Sequence, residues 1–265
     1  MLRFVAALAA ALPMAAHPLV AHGQEGELRA PFITTPSDVV MRMLRLAGTG
    51  PADLVADLGS GDGRIVITAA REFGASGLGI ELDPRLVQAS RDNAQAAKVA
   101  DRVSFVRGNV LQADFSRASV VTVYLLPQLI NQLQPRLLDE LQPGTRVVSH
   151  AFTMRGWKPD RSETVRLVKS HAGQGDESTV FLWIVPAKAR GEWQGAGWRL
   201  RIQQNFQEIE VSGTREGRAV AVTAARLAGR EIAWLADGMP FRGRIDGTRI
   251  DGELNGAAVE LRRVP

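Results

Sequence analysis

The chain has 265 residues, 45% of them apolar, with 32 Lys+Arg against 28 Asp+Glu and no cysteine. Lacking a thiolate, it holds no disulfide scaffold, zinc–thiolate site or cysteine nucleophile, and its apolar fraction argues against intrinsic disorder. The net charge of +4 comes from scattered arginines, which predicts no nucleic-acid partner, and the length suits one large domain or two modest ones.

Arg3 precedes a nearly unbroken apolar run from Phe4 to Ala16, followed by His17, Pro18 and the small residues Ala21 and Gly23. Residues 1–23 read as a signal peptide cleaved near Gly23, which predicts an exported, periplasmic protein. The alternative is an uncleaved N-terminal anchor in the inner membrane with the following domain in the cytoplasm. Pro13, His17 and Pro18 fit poorly in a spanning helix, which needs about 20 apolar residues.

Residues 28–188 alternate strand-like and helical patterns, as in an α/β sheet with crossover helices. The run Thr35-Pro36-Ser37-Asp38 predicts a helix start with Thr35 as cap, Pro36 at the first helical position and Asp38 facing the free amides. Residues 54–58, 77–81, 103–107, 119–124 and 145–150 read as buried parallel strands. Between them, Pro84–Lys98 sets Leu86, Val87, Ser90, Ala94 and Ala97 on one helix face, with Asp83 as cap, and Gln128–Leu141 repeats leucine every fourth residue.

From about Gly191 the pattern changes. Trp193, Trp198, Leu200, Ile202 and Phe206 alternate with polar residues, and Asp237-Gly238, Asp246-Gly247, Asp251-Gly252 and Asn255-Gly256 are hairpin signals. Residues 191–265 are therefore expected to form an antiparallel meander, a small barrel or sandwich with its aromatics in the core.

The chemistry is concentrated at Asp57-Leu58-Gly59-Ser60-Gly61-Asp62-Gly63, where a buried strand passes into a helix, and at Glu81, which ends the next strand. Glycines there allow a sharp turn and close approach of a ligand, and a carboxylate after the second strand can accept from both hydroxyls of a ribose. The G-x-G-x-G spacing departs from the G-x-G-x-x-G of pyrophosphate binding, which argues against a nicotinamide oxidoreductase.

These residues, with Gly108-Asn109 and Tyr124-Leu125-Leu126-Pro127, resemble the motifs of the seven-stranded (class I) S-adenosylmethionine-dependent methyltransferases. Pro31-Phe32-Ile33-Thr34-Thr35-Pro36, Val148-Ser149-His150 and Trp157-Lys158-Pro159 bring the chain closer to the group that holds the ATP synthase c-subunit and archaeal protein-lysine methyltransferases. The resemblance covers about residues 31–188. It implies a Rossmann-like seven-stranded α/β sheet and leaves the tail unexplained; the small antiparallel all-β domain that follows rests on the tail's own pattern.

It also implies S-adenosylmethionine as cofactor, no metal, and a protein acceptor with an accessible lysine. In that reading Gly59, Ser60, Gly61 and Gly63 wrap the methionine portion and Asp57 binds its ammonium. Glu81 holds the ribose, Asn109, where the family usually has Asp, meets adenine, and Thr34 and Thr35 close over the methionine end. Tyr124, Leu125, Leu126 and Pro127 line the acceptor entrance, and His150 is a candidate proton acceptor. A small-molecule acceptor, or an exported binding module that keeps the fold without activity, are the competing readings, because the cofactor has no obvious supply outside the inner membrane.

Overall fold

The computed structural model describes residues 33–171 and 175–265, so the leader and the Pro31-Phe32 pair lie outside the described residues. The first sheet contains β1 (Leu54–Leu58), β2 (Ser76–Glu81), β3 (Val103–Arg107), β4 (Val120–Val123), β5 (Arg146–His150), β6 (Arg161–His171) and β7 (Gly175–Ile184), in the order β3-β2-β1-β4-β5-β7-β6. Strands β1 to β5 run parallel, and β7 inserts antiparallel to both β5 and β6. Helices α1 (Ser37–Leu46), α2 (Arg64–Phe73), α3 (Pro84–Ala96) and α4 (Pro127–Asp139) supply the layers.

Alternation along each strand divides the core between two faces. Val55, Val120 and Val148 pack with α1, α2 and α3, whereas Ala56, Leu58, Val121, Val123 and Val147 pack with the leucines of α4. Leu129, Leu133, Leu137 and Leu141 are all buried, as their four-residue repeat predicts. The strand order reverses between β1 and β4, and the carboxyl ends of these strands leave a crevice there. The predicted strand over 119–124 is shorter in the structure, so Tyr124 stands just beyond its end, at the crevice.

The start of α1 differs from expectation. Pro36 occupies the cap position, its carbonyl accepting from Val40 N at 2.9 Å, while Asp38 faces the free amides as expected, its Oδ1 accepting from Val39 N at 3.1 Å. Thr35 lies one residue too early to reach the free amides; its hydroxyl stands 3.4 Å from His150 Nδ1 instead. Asp83 does cap α3, accepting from Arg85 N at 2.8 Å with Pro84 at the first helical position.

The second sheet is antiparallel and nine-stranded: β8 (Gly191–Gly195), β9 (Trp198–Asn205), β10 (Glu208–Arg215), β11 (Arg218–Ala219), β12 (Val222–Ala228), β13 (Glu231–Ala236), β14 (Met239–Asp246), β15 (Arg249–Leu254) and β16 (Ala257–Arg263). Its first and last strands, β8 and β16, pair with each other, and β10 lies against β12, so the meander curls around one apolar core. Trp193, Trp198, Leu200 and Ile202 are buried in that core. Phe206 is not among them; it packs against the core of the first sheet.

Asp237-Gly238 and Asn255-Gly256 form the expected turns, with all four residues at positive φ. Asp251-Gly252 is no turn. It lies inside β15, where a Cβ on Gly252 would stand 2.5 Å from Arg242 O and 2.8 Å from the Phe241 ring, so the glycine makes room for a neighbouring strand and an aromatic. Among the described residues no helix is long and apolar enough to cross a membrane.

Candidate active site

The crevice at the carboxyl ends of β1, β2 and β4 opens into a cavity of about 920 Å³, of the size that holds small molecules and cofactors. Its floor is the loop after β1. Gly59 N and Ser60 N donate to Ile80 O at 2.9 and 3.0 Å, and Gly61 N donates to Glu81 Oε2 at 2.9 Å. Ser90 and Asn93 of α3 donate to the Gly61 and Asp62 carbonyls, so the loop is held on both sides. A Cβ on Gly59, at φ +84, would come within 2.7 Å of Leu125 Cδ2; the chain is bare where the far wall closes on it.

Glu81 accepts three backbone N–H bonds, from Gly61, Leu82 and Asp83, between 2.8 and 2.9 Å. It shapes the loop as well as presenting a carboxylate to the cavity. Asp57 is 3% exposed, and burial pushes its carboxyl up to about 7. The Thr122 hydroxyl, donating at 2.7 Å, opposes that shift, while the charges of Glu81 and Asp62 reinforce it. Burial also raises Asp62, but the Arg64 guanidinium more than offsets it and holds the carboxyl below its ordinary range. Arg64 grips Asp62 through Nε and Nη2 at 2.9 and 2.6 Å and reaches the Thr35 carbonyl with Nη1 at 3.0 Å.

Thr34, Thr35, Asp57, Gly59, Ser60, Gly61, Glu81, Asn109, Tyr124 and Leu125 all line the cavity. Asn109 Oδ1 already accepts from Leu111 N at 2.9 Å, leaving its second lone pair for a ligand. Four sequence-predicted residues stand elsewhere. Leu126 is exposed and occupies the cap position of α4. Gly63 caps α2 at φ +80, and a Cβ there would lie 2.7 Å from the Phe105 ring, so it serves helix–strand packing. Pro127 opens α4. His150 is fully buried behind Tyr124, with ring centroids 4.0 Å apart, and its nitrogens face the Thr35 and Ser178 hydroxyls at 3.4 and 2.5 Å. It does not line the cavity and packs against the Tyr124 ring.

Sequence reasoning missed Thr122 and the second partner of Arg64. The one hydroxyl in the buried run Val-Val-Thr-Val was a usable signal for Thr122. Nothing in the sequence pairs Arg64 with a carbonyl 29 positions away.

The donor set fits S-adenosylmethionine. A buried carboxylate able to meet an ammonium, a second carboxylate for a ribose, and the bare glycine turn between them line one cavity. Among the described residues no group of three or more His, Cys, Asp or Glu is placed to hold a metal.

Comparison with known proteins agrees. A family profile, the ANTKMT methyltransferase domain, matches residues 57–161. The chain is 41% identical over 156 residues to a protein-lysine N-methyltransferase of Saccharolobus islandicus, covering 58% of this chain and 93% of that protein. It is 41% identical over 130 residues to the ATP synthase c-subunit lysine N-methyltransferase of Xenopus laevis, covering 49% of this chain and 55% of that protein. A crystal structure described as an RNA methyltransferase from Salinibacter ruber, in complex with S-adenosylhomocysteine, is 51% identical with a TM-score of 0.53, covering 59% of this chain and 95% of that one. The fold, the cavity and these relatives agree: the chain belongs to the S-adenosylmethionine-dependent methyltransferases, in the family of the protein-lysine N-methyltransferases.

Proposed function

We propose that this protein transfers a methyl group from S-adenosylmethionine to the side-chain amine of a lysine in a protein acceptor. The observation that carries the reading is the apolar part of the cavity lining: Tyr124, Leu125 and Leu129 face the same cavity as Asp57 and Glu81. A lysine amine attacks only when neutral, and its ordinary pKa is about 10.4. An aromatic and aliphatic wall disfavours the ammonium and so favours the reactive form.

The cofactor supplies an electrophilic methyl on a sulfonium. Asp57 would hold its ammonium, Glu81 its ribose and Asn109 its adenine, with Thr34 and Thr35 over the methionine end. Tyr124 and Leu125 would orient the amine for in-line attack and exclude water, which is the main task in such a displacement.

The test is incubation with methyl-labelled S-adenosylmethionine and separated pools of protein, RNA and small molecules. Label on lysine side chains, lost in Tyr124→Ala, supports the proposal. Label confined to RNA, the acceptor in the Salinibacter protein's description, or to small molecules would overturn it. For the compartment we propose export, or anchorage at the inner membrane, through residues 1–23. N-terminal sequencing of the fractionated protein tests this, and an intact, cytosolic N-terminus would overturn both forms.

A further inference from the structure

The aromatics of the second sheet part company at the β9–β10 turn. Trp193, Trp198, Trp234 and Phe241 face their own core, whereas Phe206, half-buried, packs against the first sheet's core. It does so from φ +54, where a bulky side chain is strained and persists only if its surroundings hold it. The Phe206 ring stacks on buried Trp157 with centroids 5.9 Å apart at 12°. Beside it, Gln207 Nε2 donates to Lys158 O at 2.6 Å. Gln204 steadies the turn, its Nε2 donating to the Ala187 and Phe206 carbonyls and its Oε1 accepting from Ala189 N and Arg190 N.

What this turn grips is the β5–β6 connection, residues 151–160. Other bonds hold the same segment: Trp183 Nε1 donates to Trp157 O at 2.9 Å, and Asn131 and Gln134 of α4 bond the Arg155 backbone. At its beginning Phe152 stacks on Tyr124, centroids 6.2 Å apart at 16°. Tyr124 faces the cavity, which no residue of the second sheet lines.

We propose that Phe206 is a positioning residue for the methyl acceptor. By pinning Trp157 it fixes the 151–160 segment and, through Phe152, the ring of Tyr124. The C-terminal sheet is then part of the frame of the acceptor site without touching the acceptor. At the cofactor end of the cavity, Asp57, Gly61 and Glu81 stand outside this chain of contacts, and Thr35 adjoins it through His150. Only the kinetic arm of the following test rests on the function proposed above.

Phe206→Gly removes the ring and relieves the positive φ, so the turn itself is kept. Stacked aromatic pairs contribute on the order of 0.5–1.5 kcal/mol, which corresponds to roughly a twofold to twelvefold fall in kcat/KM for the protein acceptor. The affinity for S-adenosylhomocysteine is expected to stay within about twofold, well inside the tenfold that 1.4 kcal/mol represents. Hydrogen exchange in 151–160 should quicken, and Phe206→Tyr should restore the wild-type values. Tyr124 is the sole tyrosine of the chain, so a tyrosine-labelled NMR spectrum reports its ring directly, and its resonance should move in Phe206→Gly. Unchanged kcat/KM, an unmoved Tyr124 resonance, or an equal loss of cofactor affinity would each overturn the proposal. If the wild-type chain methylates no protein, the function proposed above fails on its own, and the resonance and exchange measurements still decide the role of Phe206.

Discussion

Thr122 Oγ1 donates a 2.7 Å hydrogen bond to Asp57 Oδ1 between residues that are direct partners in the β1–β4 register. Both are buried, and they stand at the point where the strand order reverses. The hydroxyl is the neutral counterpart of a carboxylate that burial has pushed to about 7.

The pH dependence of cofactor binding follows from that value. The free protein carries a largely protonated Asp57 below pH 7, and an ammonium placed beside it favours the charged form, so binding releases a proton. Affinity for S-adenosylhomocysteine should rise with pH up to about 7 and level off above it. The slope at lower pH approaches tenfold per unit, until the bound-state pKa is reached. Calorimetry in buffers of different ionisation enthalpy checks the sign, and Asp57→Asn should bind weakly with no such slope.

Thr122→Val removes the donor and keeps the shape. The Thr122 bond lowers the Asp57 pKa, so its loss should move the pH profile upward. Leaving a buried acceptor without its partner costs on the order of 1–3 kcal/mol, and cofactor affinity near neutral pH should fall accordingly. A profile identical to wild type would show that Asp57 does not govern binding.

Glu81→Gln exchanges one carboxylate oxygen for an NH2 group facing backbone N–H donors. Glu81 accepts from Gly61, Leu82 and Asp83, so the change should disorder the loop as well as weaken the ribose contact. Hydrogen bonds to charged groups contribute about 1.5–3 kcal/mol, so a tenfold to hundredfold loss in cofactor affinity is expected, read by calorimetry.

Arg64→Lys keeps the charge and loses the fork. The two bonds to Asp62 and the third to the Thr35 carbonyl cannot all be made by one ammonium. Faster hydrogen exchange at residues 33–36 and a several-fold weaker cofactor affinity are expected. Screening at this half-exposed pair should keep the effect on overall stability to about 1 kcal/mol or less.

Gly63→Ala and Gly50→Ala separate two uses of glycine. An alanine at 63 meets φ +80 and the Phe105 ring at 2.7 Å, whereas at 50 it meets nothing within 4 Å. Thermal melts should show a loss of about 1–3 kcal/mol for the first and little change for the second.

The glycine loop, Glu81, the leucine stripe of α4 and the Asp83 cap were legible because each is a local signal, carried by residue type at short spacing. The Thr35 cap and the Asp251-Gly252 turn were misread for one reason. Each has local chemistry that permits the expected use, and a distant partner takes it for another: His150 for Thr35 and the Phe241 ring for Gly252.

By itself, then, the sequence determined a two-part chain and a cofactor loop, since alternation, capping and glycine spacing act within a few residues. Only the tertiary structure decided that Thr122 restrains Asp57, that Arg64 ties the loop to Thr35, and that Phe206 reaches out of its own sheet to Trp157. Those relationships join residues 29 to 65 positions apart along the chain. They follow from strand register and sheet packing, which bring side chains together by geometry that no local pattern records.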